Sequence, residues 1–211
     1  MNSESIIKNI AALYKRISHA AMRAGRNPER VKLIGVTKTV GVKQIREAVD
    51  AGLRVFGENR VQEAQEKIAN DMLQIPGERL EWHLIGHLQR NKAKYAVSLF
   101  DLIHSLDSIS LAEELDRYAE KIDKVQDILV EVKLSPEETK QGIEKGRLME
   151  LLEKVSFMKN LSLRGLMTVP PFSRDPEGAR PYFRELRDLR ARAMAAGFSL
   201  PELSMGMSHD F

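Results

Sequence analysis

The sequence predicts an α/β protein with a parallel sheet, a (β/α)8 barrel of the TIM type carrying an extra N-terminal helix. Three observations lead there. Short runs rich in Val, Ile and Leu alternate seven times with longer amphipathic runs, the order that βαβ units produce. No two strands are joined by a tight Asn-Gly or Asp-Gly turn, so antiparallel neighbours are not expected. The first strand lacks a following Gly-x-Gly-x-x-Gly turn, and seven strands outnumber the roughly five or six of a doubly wound open sheet. The count is also one short of a closed barrel, so the eighth strand is expected to be missing from this chain.

Composition narrows the function classes. At 211 residues the chain is long enough for a substantial core, and it reads as one domain over 1–211 with 1–25 a helix packed on the barrel. Hydrophobic residues make up 43% and charged residues 30%, the balance of a folded globular protein. The 33 basic and 30 acidic residues are mixed along the chain, so a net charge of +3 gives no reason to expect nucleic acid or an acidic membrane. Without cysteine, disulfides and thiolate metal sites are excluded. No apolar run reaches the roughly 18 residues of a membrane span. The polar start Met1-Asn2-Ser3-Glu4-Ser5 is unlike a secretion signal, and a cytoplasmic location is expected.

The elements follow in order. Ile6, Ile10, Leu13 and Ile17 recur at helical spacing with Lys8, Lys15 and Arg16 between them, an amphipathic helix ending near Gly25. A turn at Gly25-Arg26-Asn27-Pro28 leads into a first strand over 31–38. Helix 42–51 stops at Gly52, strand 53–56 ends in Gly57-Glu58-Asn59, and helix 61–73 is broken by Pro76-Gly77. Strand 81–86 precedes a polar loop and helix 91–99. Strand 102–107 is followed by Ser108, placed to cap a helix reaching 122. Strand 127–132 and helix 146–158 come next, then strand 163–169 stopped by Pro170-Pro171. A long helix over 177–196 ends at Gly197, and 203–205 is the seventh strand.

In such a barrel the chemistry lies at the C-terminal ends of the strands. The first two strands offer Thr37 and Lys38, then Glu58, Asn59 and Arg60; the next two offer Gly86, His87, Gln89 and Asn91, then Ser105 and Asp107. The last three offer Lys133, then Met167 and Thr168, then Ser204, Gly206 and Ser208. Lys38 shares a strand face with Ile34 and Val36 by period-two alternation. If that face points inward, the ammonium sits at the mouth of an apolar pocket, and desolvation favours the neutral amine that forms a Schiff base. The plainer alternative is a stem lying on apolar surface with its head in water.

The other candidates carry weaker signals. His83 and His87 are four apart, but one falls in a strand and the other in a loop, so no metal site is expected. His104, inside an apolar strand, reads as a hydrogen-bonded core histidine. Arg180, Arg184, Arg187, Arg190 and Arg192 form a stripe interrupted by Glu185 and Asp188, a solvated, salt-bridged helix face. Gly206 followed by Ser208 after the seventh strand has the makings of a phosphate cradle, where barrels often hold one. Neither a Ser-His-Asp set nor a metal-binding carboxylate cluster is present at the strand ends.

Five segments occur in one order: Gly35-Val36-Thr37-Lys38-Thr39, Phe56-Gly57-Glu58-Asn59-Arg60-Val61-Gln62-Glu63, Trp82-His83-Leu84-Ile85-Gly86-His87-Leu88-Gln89-Arg90-Asn91-Lys92, Gly165-Leu166-Met167-Thr168 and Ser204-Met205-Gly206-Met207-Ser208. Together they resemble the pyridoxal-phosphate homeostasis protein family, whose barrel is similar to the N-terminal domain of alanine racemase. The resemblance covers essentially the whole chain. It implies pyridoxal 5′-phosphate (PLP) held as a Schiff base on Lys38, with Asn59 beside it and Ser208 with adjoining backbone on its phosphate. Met167, Ser204 and Gly206 complete the implied cofactor-binding set. The implied role is in intracellular PLP (vitamin B6) and amino-acid homeostasis without catalytic turnover, by a monomer or weak homodimer with PLP-dependent enzymes as recipients. The family continues past the Met-Gly-Met-Ser segment with a helix and an eighth strand bearing an Arg-x-Gly element, whereas the present sequence stops at Phe211.

Two enzymatic readings stand beside this one. A PLP-dependent amino-acid racemase needs an acid–base group opposite the lysine. The four tyrosines, Tyr14, Tyr95, Tyr118 and Tyr182, all fall in expected helices, away from strand ends. A cofactor-free Schiff-base aldolase would use Lys38 with a proton-transfer partner such as Asp107.

Overall fold

The computed structural model describes residues 3–69, 73, 79–137 and 140–210. The chain divides into two compact units, Met1–His83 and Leu84–Phe211. In the first, the expected amphipathic pattern forms α1 (Ser3–Arg23), with Ile10 and Ala21 buried and Ile7, Tyr14 and Met22 exposed. A short 3-10 turn, Pro28–Arg30, begins where the Asn27 side chain accepts the Glu29 N–H at 3.0 Å. The chain then forms β1 (Gly35–Val36), α2 (Val42–Asp50), β2 (Val55–Glu58), α3 (Val61–Ile68) and β3 (Glu81–Leu84). Strands run in the order β1-β2-β3, with β1 parallel to β2 and Val36 opposite Gly57.

The core of this unit gathers Ile45 and Val49 from α2, Leu53 and Phe56 around β2, and Ala64 from α3. Phe56 and Trp82 set their rings 5.4 Å apart. Burying large side chains of this kind stabilises a fold by roughly 1.5–3 kcal/mol each. Two expectations shift. The first strand shrinks to two residues, Gly35 and Val36, which pair with Phe56 and Gly57 of β2. The second moves two residues onward, since the Gly57 carbonyl belongs to the ladder and accepts the Thr37 N–H at 3.0 Å. The break at Pro76-Gly77 lies outside the described residues.

The second unit holds α4 (Ala93–Leu99), β4 (Leu102–Leu106), α5 (Ile109–Glu120), β5 (Gln126–Lys133), β6 (Ile143–Glu144), α6 (Leu148–Ser156), β7 (Leu161–Met167), α7 (Arg180–Ala195) and β8 (Glu202–Ser204). Its parallel sheet has the order β4-β5-β7-β8. The two-residue β6 pairs with the end of β5; it is too short to leave a periodic trace in the sequence. Ile128, Val130 and Leu166 are buried in the sheet, and Leu111, Leu115, Leu151, Leu152 and Leu186 are buried on the helices that pack against it. Ser108 takes the N-cap position of α5, but its side chain makes no capping bond; the extended backbone there starts the helix without it.

One glycine is demanded by packing. A Cβ on Gly165 would lie 1.9 Å from the Glu202 carbonyl oxygen, so β7 and β8 approach closely only because that position lacks a side chain. The sheet also curls. His104 on β4 and Ser204 on β8 are separated by two intervening strands, yet His104 Nδ1 and Ser204 Oγ are 2.9 Å apart. Register shifts between Ile103 and Leu106 and between Ile128 and Leu129 sharpen that curvature.

Candidate functional site

In the first unit, strand-end candidates cluster where β1 and β2 finish. Val36 and Gly57 are paired, so Lys38 and Asn59 each lie two residues past the same ladder row. Of the two readings of Lys38, the structure shows the one with its head in water. Alternation holds, but Val36 is 46% exposed and Lys38 is exposed, whereas Thr37 on the opposite side is buried. The reason is chemical. Thr37 has a buried partner for its hydroxyl, which donates to Glu58 Oε1 at 2.5 Å and to the Gly57 carbonyl at 3.3 Å.

Glu58 is 0% exposed and is compensated by a lysine the sequence reading did not single out. Lys67 Nζ donates to Glu58 Oε1 at 2.6 Å and to the Thr37 carbonyl at 2.5 Å. The available signal was its place on α3: it follows buried Ala64 by three residues and buried Val61 by six, on the inward stripe. The Thr37 carbonyl also accepts the Val40 N–H at 2.9 Å, closing a tight turn with Lys38 and Thr39 at its centre. Thr39 has φ 60, an uncommon backbone state for a β-branched residue.

In the second unit, Glu131, Met167 and Ser204 stand in one row across β5, β7 and β8. Ser204 Oγ meets the buried His104, which is thus the hydrogen-bonded core histidine expected. Glu131 is buried, and burial, reinforced by the neighbouring charge of Asp107 and opposed by Lys140, raises its carboxyl to about 7. The sequence offered one hint of it, an acid inside the apolar run Ile128-Leu129-Val130-Glu131-Val132. Asp107 lies 3.5 Å from His87 Nδ1, and Lys133 3.4 Å from Glu144. Thr168 donates its hydroxyl to the Val132 carbonyl at 2.9 Å.

Past β8, Gly206 adopts φ +95 and turns the chain. The Met207 N–H then donates to Asp210 Oδ1 and the Asp210 N–H to the Met207 carbonyl, leaving Ser208 exposed on the turn. Met167, Ser204, Gly206 and Ser208 therefore share one strand end of this unit, as Lys38 and Asn59 share one of the first. In the first unit Lys38 offers a primary amine, a group that can condense with an aldehyde; in the second, the glycine-bent turn presents the Ser208 hydroxyl, a group that can meet a phosphate. The four tyrosines lie in α1, α4, α5 and α7. Among the described residues no helix is long and apolar enough to cross a membrane.

These features define a parallel β/α protein with its polar groups at the strand ends, and the alanine racemase N-terminal domain family model matches residues 8–211. The chain belongs to the pyridoxal phosphate homeostasis protein family within that group. It is 46% identical over 205 residues to the pyridoxal phosphate homeostasis protein of Aquifex aeolicus, a match covering 97% of this chain and 88% of that protein. It is similar to a crystal structure of a Bifidobacterium adolescentis protein, at 34% identity and TM-score 0.87, covering 99% of this chain and 88% of the other. PipY of Synechococcus elongatus, solved with PLP bound, is 39% identical with TM-score 0.82, covering 97% of this chain and 90% of that one. Family and fold class, a β/α barrel of the alanine racemase type, therefore stand as the sequence predicted them.

Proposed function

We propose that this chain binds PLP and serves PLP and amino-acid homeostasis in the cytoplasm, holding the cofactor for PLP-dependent enzymes without turning it over. The observation that carries the reading is the placement of Lys38 just past the end of β1, on a turn whose Thr37 carbonyl is held by Lys67 and by the Val40 N–H. The PLP bound in the related PipY structure supports it. When bound, PLP supplies an aldehyde and an electron-withdrawing ring. Lys38 would hold the cofactor through its amine, by the Schiff-base chemistry that the aldehyde supplies. Asn59, Met167 and Ser204 would belong to the binding set, the Ser204 hydroxyl being held by His104 at 2.9 Å. Gly206 and Ser208 would meet its phosphate through backbone N–H and hydroxyl groups. The protein works as a monomer or weak homodimer.

A racemase is the less favoured reading, because the tyrosines sit in helices and a tyrosine base would have to stand at a strand end. The experiment is direct. Protein incubated with PLP should turn yellow, lose the colour on borohydride reduction and carry the label on Lys38. Lys38→Ala should retain no reduced label, and α-protons of free amino acids should not exchange in heavy water. Label spread over other lysines in the unaltered protein refutes the assignment.

A further inference from the structure

We propose that Lys67, acting with Glu58, is a positioning residue for Lys38: its ammonium grips the Thr37 carbonyl and so fixes the turn that presents the Lys38 amine. This rests on the reading of Lys38 as the cofactor lysine. Lys67 is an unusual lysine, its side chain only 13% exposed, and lysine is seldom buried without a specific partner. A simple ion pair between α3 and β2 would need Glu58 alone. Instead Nζ divides its hydrogen bonds between Glu58 Oε1 and the Thr37 carbonyl, at 2.6 and 2.5 Å.

The same Glu58 oxygen accepts the Thr37 hydroxyl at 2.5 Å, so side chain and backbone of Thr37 are tied to one charge pair. The grip continues into the turn. The carbonyl that Lys67 holds is the one that accepts the Val40 N–H at 2.9 Å, and the two residues between are Lys38 and Thr39. Thr39 at φ 60 is in a strained state that persists only where the surroundings impose it. An exposed lysine has a flexible stem, and the direction of its Cα–Cβ bond is the part of its placement that the fold can set. Glu58 Oε2 is buried with no hydrogen-bond partner among the described residues, which leaves Lys67 as the charge that balances this carboxylate in the network. Removing the ammonium alone strands a buried charge.

The test compares the full chain with Lys67→Met, Lys67→Arg and the double variant Glu58→Gln/Lys67→Met. Three quantities are read: amide hydrogen exchange at Val40, the rate of reductive methylation of Lys38 in cofactor-free protein, and the share of borohydride-fixed PLP on Lys38. Lys67→Met should speed Val40 exchange about tenfold, the worth of a hydrogen bond to a charged group. It should also alter the Lys38 methylation rate and lower the PLP share on Lys38, with protection in β5 and α5 unchanged. Lys67→Arg keeps a donor for the Thr37 carbonyl and should restore Val40 protection. The double variant carries no stranded charge, so it answers the same question if Lys67→Met does not fold. A folded variant without Lys67 that leaves Val40 exchange and Lys38 methylation unchanged overturns the proposal, and so does a uniform loss of protection throughout the chain. If the unaltered protein takes no PLP on Lys38, the cofactor reading fails, while exchange and methylation still decide the grip.

Discussion

Glu131 shows what a single residue's surroundings do to its chemistry. A carboxyl ordinarily ionised at neutral pH is held near 7 by burial and by the charge of Asp107, against the pull of Lys140. Because the folded state then binds a proton more tightly than the unfolded chain, stability falls as pH rises from about 4.5 to about 7. At about 1.36 kcal/mol per pH unit the loss is of order 3 kcal/mol. Glu131→Gln should remove that component. Urea unfolding at pH 5 and pH 8 should show the unaltered protein losing stability relative to the variant, and equal losses in the two proteins would refute the assignment. Lys38 shows the reverse case, an exposed residue whose placement depends on neighbours rather than on its own burial.

At the scale of elements, the pairing of β7 with β8 decides whether Met167 and Ser204 stand side by side. Gly165→Ala inserts a methyl where the Glu202 carbonyl already sits. The variant should lose roughly 1–3 kcal/mol or more in denaturant unfolding, and the Thr168 N–H to Ser204 carbonyl bond of 3.2 Å should break first. Faster exchange at Thr168 than at β5 amides would report it; an unchanged midpoint and unchanged Thr168 exchange would refute it. The disposition of α3 matters in the same way. A helix that began one residue later would turn Lys67 away from Thr37, because adjacent helix positions point about 100° apart.

For the whole molecule, PLP bound to the folded chain but not to the unfolded one must raise stability with concentration, by about 2.7 kcal/mol at a hundredfold excess over Kd. Thermal melts at rising PLP should therefore climb without a plateau in the accessible range, and Lys38→Ala should need more PLP for the same rise. A melting temperature indifferent to PLP would contradict cofactor binding by this chain.

Much of this protein was legible in its residues alone. The alternation of Val- and Ile-rich runs with amphipathic ones determined the order of the seven principal strands, because each period is a local property of side-chain direction. The motifs around Lys38, Asn59, Met167 and Ser208 pointed to the family that the comparisons show. Tertiary structure alone decided which face of β1 is buried, since that depends on Glu58, twenty-one residues from Thr37. It also decided that Lys67 reaches Thr37 across thirty residues and His104 reaches Ser204 across a hundred. Periodicity reports where a side chain points within its own element; what it meets there is set by strand register and helix placement, which bring together residues far apart in the chain.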